Sequence, residues 1–133
     1  MGVGAGTIGQ IHVTVTDIDR AVAFYRDVLG LPLLFRVPGQ PMAFLDCDGV
    51  RLYLGVTEDP AFASRPLLYF RVREIEARHA ELRAAGADLI DEPHVVHRDG
   101  GEELVVCFLR DPDGTTLALM EERPVGGAAG SGG

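Results

Sequence analysis

The chain has 133 residues, 47% of them hydrophobic and 24% charged, which is typical of one globular domain. Its net charge of −8 and pI near 4.8 argue against nucleic-acid binding, because that function needs a basic surface to neutralise phosphates. The apolar runs are too short to span a membrane. The two cysteines, Cys47 and Cys107, match no zinc-binding spacing, so we expect reduced thiols in a cytoplasmic protein.

Residues 8–16 alternate between apolar and polar side chains, and this period of two predicts a strand. Because side chains on a strand point to alternate faces, His12 and Thr14 share one face. The apolar residues at positions 11, 13 and 15 share the other face and are expected to pack against a helix.

That helix is predicted over residues 18–29, where apolar side chains recur at helical spacing. Thr16 or Asp17 can cap its first turn, and Gly30 can supply the left-handed residue that ends it. Three short strands are predicted to follow, at 32–37, 42–46 and 50–56.

The pattern then starts again with a strand over 67–72 and a helix over 74–85, in which Ile75, Leu82 and Ala85 are expected to point inward. Further strands are predicted at 88–97, 103–110 and 115–121. The turn signals between them are Asp99-Gly100-Gly101 and Asp111-Pro112-Asp113-Gly114.

The two halves of the chain can be aligned with each other. Val-Thr-Asp-Ile-Asp at 15–19 matches Val-Arg-Glu-Ile-Glu at 72–76, and an Asp-Gly pair precedes the last strand of each half. We therefore expect one domain over residues 8–122 made of two modules, 8–57 and 66–122. Residues 1–7 and the glycine-rich residues 123–133 are expected to be flexible termini.

Two segments, DIDRAVAFYRDVLGL from Asp17 to Leu31 and FLRDPDG from Phe108 to Gly114, resemble motifs of the vicinal oxygen chelate superfamily. That superfamily contains glyoxalase I, bleomycin-resistance proteins and extradiol dioxygenases. The resemblance extends over about residues 8–122. It implies an α+β fold in which two βαβββ modules form a U-shaped mixed sheet around a cavity, with the helices on the convex face.

In metal-dependent members of this superfamily, the first and last strands of each module carry the metal ligands. The resemblance places His12, Tyr53, Tyr69 and Ala118 at those positions. His12 suits a divalent ion, but two phenols and a methyl group do not, because such a site needs about three imidazole or carboxylate ligands. We therefore expect no metal cofactor, with Fe, Mn, Zn or Ni as the alternative.

Strand alternation predicts which side chains face the cavity. On the fourth strand, for example, Leu52 and Leu54 face the helix and leave Arg51 and Tyr53 for the cavity. The full predicted ligand-binding set is His12, Thr14, Arg51, Tyr53, Tyr69, Arg71, Thr116, Ala118 and Met120. These aromatic and guanidinium groups suit a flat or aromatic ligand that carries a carboxylate, phosphate or enolate.

Several of these side chains also have a purely structural interpretation. His12 could hydrogen-bond Tyr53 or Tyr69 in a filled cavity, and the two tyrosines could be ordinary packing. Arg51 and Arg71 could pair with some of the 20 acidic residues.

His94 and His97 lie three residues apart on a predicted strand. That spacing places them on opposite faces of a regular strand, which argues against a joint metal site. One of them could still contact a ligand at the mouth of the cavity.

Three functions remain open from the sequence. The leading hypothesis is metal-independent binding or sequestration of a small aromatic or anionic molecule. The alternative is a lyase, isomerase or dioxygenase in which His12 is the general base and Arg51 or Arg71 stabilises an enolate. The third is an interaction module whose sheet edges mediate dimerisation. In each case we expect a homodimer that binds neither nucleic acid nor membrane.

Overall fold

The computed structural model describes residues 2–126 of the chain. The chain divides into two compact units, Met1–Arg65 and Pro66–Gly133, and each is built as a strand, a helix and a further set of strands. This confirms the predicted mixed α+β class and its βαβββ repeat. Residues 127–133, where most of the predicted flexible tail falls, lie outside the described residues. None of the helices within residues 2–126 is long and apolar enough to cross a membrane.

The first unit contains a four-stranded mixed sheet and one helix, which begins as an α-helix and continues as a π-helix. Its elements are β1 (Gln10–Thr14), α1 (Ile18–Val22), a π-helical continuation of α1 (Ala23–Val28), β2 (Leu33–Arg36), β3 (Met42–Cys47) and β4 (Val50–Gly55). The strand order is β1-β4-β3-β2, with β1 parallel to β4 and the other pairs antiparallel.

Helix α1 begins and ends as its sequence predicts. The carboxylate of Asp17 accepts a hydrogen bond from the backbone N–H of Arg20 at 3.1 Å, and Gly30 has a positive φ of 80° after the π-helical turn. The apolar face of the helix buries Tyr25 completely. The sheet residues buried on the same side are Val13, Ala43, Leu45, Leu52 and Leu54.

The second unit contains a five-stranded mixed sheet and one regular helix. Its elements are β5 (Leu68–Arg71), α2 (Ile75–Ala84), β6 (Asp88–Leu89), β7 (His94–Asp99), β8 (Glu102–Arg110) and β9 (Thr116–Pro124). Strand β9 lies between β5, to which it is parallel, and β8, to which it is antiparallel. Strands β6 and β7 pair with different parts of the other edge of β8.

The strand predicted over 88–97 is wrong in one respect, because it is interrupted between β6 and β7. The side chain of Asp91 accepts a hydrogen bond from the backbone N–H of Phe108 at 2.8 Å, a position that a backbone carbonyl would occupy in a continuous ladder. Pairing resumes at His94 and continues to a tight turn in which Gly100 and Gly101 have φ values of 59° and 85°.

Helix α2 buries Ile75 and Leu82, as predicted, but Ala85 is exposed. His79 is buried in its place, and its Nε2 donates a hydrogen bond to the backbone carbonyl of Asp91 at 2.9 Å. The helix therefore packs over the interruption between β6 and β7 through a polar side chain, which apolar periodicity does not predict.

Strand β9 continues to Pro124, so the ordered strand extends past the boundary at residue 122 that the sequence suggested. The reason is Arg123, which is buried on the helix side of the sheet. Its guanidinium donates to both carboxylate oxygens of Glu76 at 2.8 and 2.9 Å, and its Nε donates to Glu103 at 3.1 Å. The carboxylate of Glu121 accepts from the backbone N–H groups of residues 74 and 75 at the start of α2.

Candidate functional site

The face of the first sheet that is turned away from α1 carries four of the predicted ligand-binding side chains. The parallel pairing of β1 with β4 places His12 beside Tyr53 and Thr14 beside Gly55, while Arg51 is paired with Gln10. Because residues paired directly across strands have side chains on the same face, these groups form one surface.

Four rings follow one another across this surface, from β2 through β3 and β4 to β1. The ring centroids of Phe35 and Phe44 are 4.6 Å apart, and those of Phe44 and Tyr53 are 4.7 Å apart, with interplanar angles of 22° and 21°. His12 meets Tyr53 edge-on, with centroids 4.6 Å apart and an angle of 76°. We call these four side chains the aromatic row.

The spacing of the first three rings equals the distance between neighbouring strands, so each ring covers a face of the next. Phe44 lies inside the stack and is only 7% exposed, whereas Phe35 ends it at the sheet edge and is 44% exposed. The stack therefore presents mainly ring edges, which carry the positive end of the aromatic quadrupole.

His12 lies against this stack in a partly buried environment. Its Nδ1 is buried and has no hydrogen-bond partner among residues 2–126. Burial lowers the pKa of the imidazole below its usual value near 6.5, because desolvation disfavours the charged form. Burial thus favours the neutral imidazole, and the hydrogen bonds to tyrosine considered from the sequence do not involve its Nδ1.

Arg51 lies beside the aromatic row and is exposed. Its guanidinium carbon is 5.3 Å from the ring centroid of Phe44, and its Nε donates to the side-chain oxygen of Gln10 at 3.0 Å. Asp46 is its cross-strand neighbour, but that carboxylate accepts a hydrogen bond from the backbone N–H of Gly49 in the adjacent turn. Within residues 2–126 Arg51 makes no ion pair, in contrast to the interpretation in which it pairs with an acidic residue.

Thr14 is occupied by a contact within the first unit. Its hydroxyl accepts a hydrogen bond from the backbone N–H of Ser64 at 2.7 Å, and its own N–H donates to the carbonyl of Ser64. The segment that follows β4 thus returns to the end of β1. The Thr14 hydroxyl therefore has a structural role, in holding the segment around Ser64 against β1.

The corresponding face of the second sheet carries the other five predicted residues. Tyr69 pairs with Ala118 and Arg71 pairs with Met120, and Thr116 lies on the same face of β9. Tyr69 is 48% exposed and meets Phe108 edge-on with centroids 5.9 Å apart, whereas Ala118 is fully buried. The Arg71 guanidinium donates to the carboxylate of Glu122 at 3.2 Å, so this arginine has an acidic partner, whereas Arg51 has none among residues 2–126.

The predicted opposite orientation of His94 and His97 is wrong. His94 pairs with Val106 and His97 pairs with Leu104, because the register of β7 shifts between Val95 and His97. Since positions 104 and 106 point to one face of β8, the irregularity brings both imidazoles to that face. The two imidazoles therefore lie on the same face of the sheet as Met120, because Val106 of β8 pairs with His94 of β7 and with Met120 of β9.

The residues at the metal-ligand positions of the family do not fit a divalent ion. His12 with Tyr53, and Tyr69 with Ala118, are register pairs in equivalent strands of the two modules. The pair in the first unit offers one imidazole and one phenol, and the pair in the second unit offers a phenol and a methyl group, so neither pair supplies the imidazole or carboxylate ligands that such an ion needs. Among residues 2–126 no group of three or more His, Cys, Asp or Glu side chains could hold a metal.

Phe35, Phe44 and Gln10 are members of this surface that the sequence analysis missed. Alternation could have identified Phe44, because Ala43 and Leu45 on either side of it are buried against the helix. Phe35 could not be found in this way. A shift of register between Leu33 and Phe35 brings it opposite Phe44, where an uninterrupted ladder would place Leu34.

Comparisons with known proteins agree with this architecture. A family model described as Glyoxalase/Bleomycin resistance protein/Dioxygenase superfamily matches residues 7–119. Catechol-2,3-dioxygenase of Bacillus subtilis (strain 168) is 30% identical over 125 residues, which are 88% of this chain but only 42% of that enzyme. Lactoylglutathione lyase of Haemophilus influenzae is 28% identical over 126 residues, covering 82% of this chain and 87% of that protein. The crystal structure of lactoylglutathione lyase from Agrobacterium tumefaciens superimposes with a TM-score of 0.67 at 24% identity, covering 88% and 94% of the two chains.

Proposed function

We propose a small-molecule-binding function for this chain, which belongs to the glyoxalase/bleomycin resistance protein/dioxygenase superfamily. The proposed ligand is a planar aromatic anion, and its binding does not need a metal. The absence of a metal from the proposal is supported within each unit, since Tyr53 in the first and Tyr69 and Ala118 in the second are poor or absent ligands for a divalent ion.

The observation that carries the proposal is the guanidinium of Arg51. It is exposed beside the aromatic row, it has a hydrogen bond to an amide and not to a carboxylate, and its charge is not neutralised within residues 2–126. A guanidinium in this state can bind a ligand carboxylate, phosphate or enolate through two parallel hydrogen bonds.

The aromatic row supports the aromatic part of the ligand. Its stacked rings offer edges with partial positive charge, and such edges favour the face of an electron-rich ring over that of an electron-poor one. At the end of the row, the neutral imidazole of His12 adds a group that can accept a proton or a hydrogen bond.

Calorimetry with 2-naphthoate and its neutral amide tests the proposal on the intact chain. We expect the protein to bind the carboxylate and to prefer it to the amide. In the Arg51→Met variant that preference should fall by about tenfold or more, because a charge-assisted hydrogen bond contributes roughly 1.5–3 kcal/mol and about 1.4 kcal/mol corresponds to a factor of ten. Arg26→Met is the matched control, since Arg26 is exposed in the same unit and already pairs with Asp27.

Equal binding of the two probes to the wild-type protein, or an unchanged preference in Arg51→Met, would contradict the proposal. Metal independence has its own test. Dialysis against EDTA should leave the affinity for 2-naphthoate unchanged. A stoichiometric Fe, Mn, Zn or Ni content in protein purified without chelator, lost together with binding, would overturn this part.

Acid–base catalysis by His12 is the second candidate function. It is favoured by the lowered pKa of this imidazole, which leaves it uncharged and able to take a proton at neutral pH. The names of the relatives suggest a catechol and lactoylglutathione as the first compounds to assay. Turnover that is abolished in His12→Gln would establish this function, and turnover retained in that variant would exclude His12 as the base.

A further inference from the structure

Gly55, the last residue of β4, lies against the rings of Tyr53 and His12, the two members of the aromatic row on β4 and β1. A Cβ atom at this position would lie 2.8 Å from Cε1 and 3.1 Å from Cζ of Tyr53, and 3.0 Å from Nε2 of His12. A contact of 2.8 Å is closer than real Cβ atoms come to other heavy atoms, and the other two distances are tight, so these rings can occupy their places only because residue 55 has no side chain.

The requirement for glycine here is steric and does not come from the backbone conformation. The φ angle of Gly55 is not positive. The residue is regularly paired with Thr14 of β1 on one side and with Met42 of β3 on the other. Most other glycines of the described chain stand in open space, with no atom within 4 Å of a Cβ added to them.

The ring of Tyr53 cannot easily move aside, and it can move toward His12 only by displacing that ring as well. Tyr53 is held by Phe44 on one side, with centroids 4.7 Å apart, and by His12 on the other, with centroids 4.6 Å apart. A side chain at position 55 would therefore displace the phenol and the imidazole together.

From this geometry we infer that Gly55 is a positioning residue of the ligand-binding surface, one that holds Nε2 of His12 and the phenol of Tyr53 in their binding orientation. The inference rests on the proposed function for the importance of that orientation. Gly55 would thus determine where the imidazole lies, although glycine has no side chain with which to bind a ligand.

The test compares Gly55→Ala with Gly9→Ala, a control glycine just before β1 whose added Cβ would contact nothing within 4 Å. In Gly55→Ala, the NMR cross-peaks between the His12 and Tyr53 rings should be lost or weakened, and the ring-current shift of the His12 Cε1–H should change. Binding of 2-naphthoate should weaken about tenfold, as expected for an overpacked site. Gly9→Ala should leave all three readouts as in the wild type.

A second pair of variants keeps the inference testable if Gly55→Ala is poorly folded. The substitution should lower the melting temperature by about 5 °C in the wild-type background and by less than half as much in a Tyr53→Ala background, where one of the two rings is missing. Equal losses in both backgrounds, or ring cross-peaks in Gly55→Ala that match those of the wild type, would overturn the inference.

The NMR and stability readouts need no ligand. Failure of the wild type to bind 2-naphthoate would therefore count against the proposed function and leave the role of Gly55 in orienting the rings to be decided by the NMR and stability data.

Discussion

Replacing Arg123 by methionine should destabilise the protein, because this arginine of β9 is buried among carboxylates. The arginine is 7% exposed and makes a bidentate contact with Glu76, a contact with Glu103 and a 3.3 Å contact with Glu121. Glu103 is itself only 5% exposed. Without Arg123 this carboxylate keeps one partner, the exposed Arg98 at 3.2 Å.

Removing one member of a buried ion pair leaves the other charge poorly compensated, here by an exposed arginine alone, and the usual cost is about 3 kcal/mol or somewhat more. For a domain of this size that corresponds to a fall in melting temperature of about 10 °C. Urea and thermal denaturation of Arg123→Met and the wild type would measure both quantities. Arg98→Met is the matched control: it also removes a partner of Glu103, but its guanidinium is 63% exposed, so we expect a loss of less than about 1 kcal/mol.

The pH dependence follows from the same contacts. Hydrogen bonds from Arg123 lower the pKa values of Glu76 and Glu103 below those of an unfolded chain. A lowered carboxylate pKa stabilises the folded state above the unfolded pKa, and this stabilisation is lost as the pH falls through the folded pKa. The difference between the wild type and Arg123→Met should therefore shrink in acid. A difference that is constant with pH, or an Arg98→Met variant as unstable as Arg123→Met, would refute the reasoning.

Two further predictions concern the aromatic row. The pKa of His12, measured by NMR titration, should lie below 6.5, and Tyr53→Leu should raise it by admitting water to the imidazole; a pKa at or above 6.5 in the wild type would show that burial does not control it. Phe44→Ala should cost about 3 kcal/mol because Phe44 is 7% exposed inside the stack, whereas Phe35→Ala at the exposed edge should cost less than about 1 kcal/mol; similar losses in urea denaturation would contradict the assigned burial.

Local patterns in the sequence were sufficient for most of the fold. A period of two placed His12 and Thr14 on the face of β1 opposite to Val13, and the structure has the same division. Helix α1 follows its cap at Asp17, and the predicted turn before β9 forms with a hydrogen bond from the N–H of Gly114 to the carbonyl of Asp111. These features depend on the geometry of neighbouring residues, so a sequence contains the information directly.

The alignment of the two halves also carried real structural information. It matched His12 and Tyr53 in the first module with Tyr69 and Ala118 in the second, and each of these is a register pair between parallel strands. A repeat implies equivalent pairing because the same strand–helix–strand pattern favours the same parallel contact in both copies.

The errors occur where pairing with a distant strand, and not local spacing, determines the orientation of a side chain. Shifts of register bring Phe35 opposite Phe44 and turn His94 and His97 to one face of β7, and counting by two fails beyond each shift. Likewise Arg123 follows the last predicted strand as an apparent tail residue, but α2 supplies it with the carboxylate of Glu76.

The sequence by itself thus determined the elements, the repeat and the identity of the side chains on regular stretches of strand, because those follow from propensities and periods of two or 3.6 residues. Tertiary structure alone decided how those side chains are used. It places three stacked rings next to His12, leaves Arg51 with no acidic partner among residues 2–126, and brings two rings close to Gly55. Each of these arrangements depends on which strands become neighbours and in which register, and that choice is made by burial of the whole sheet.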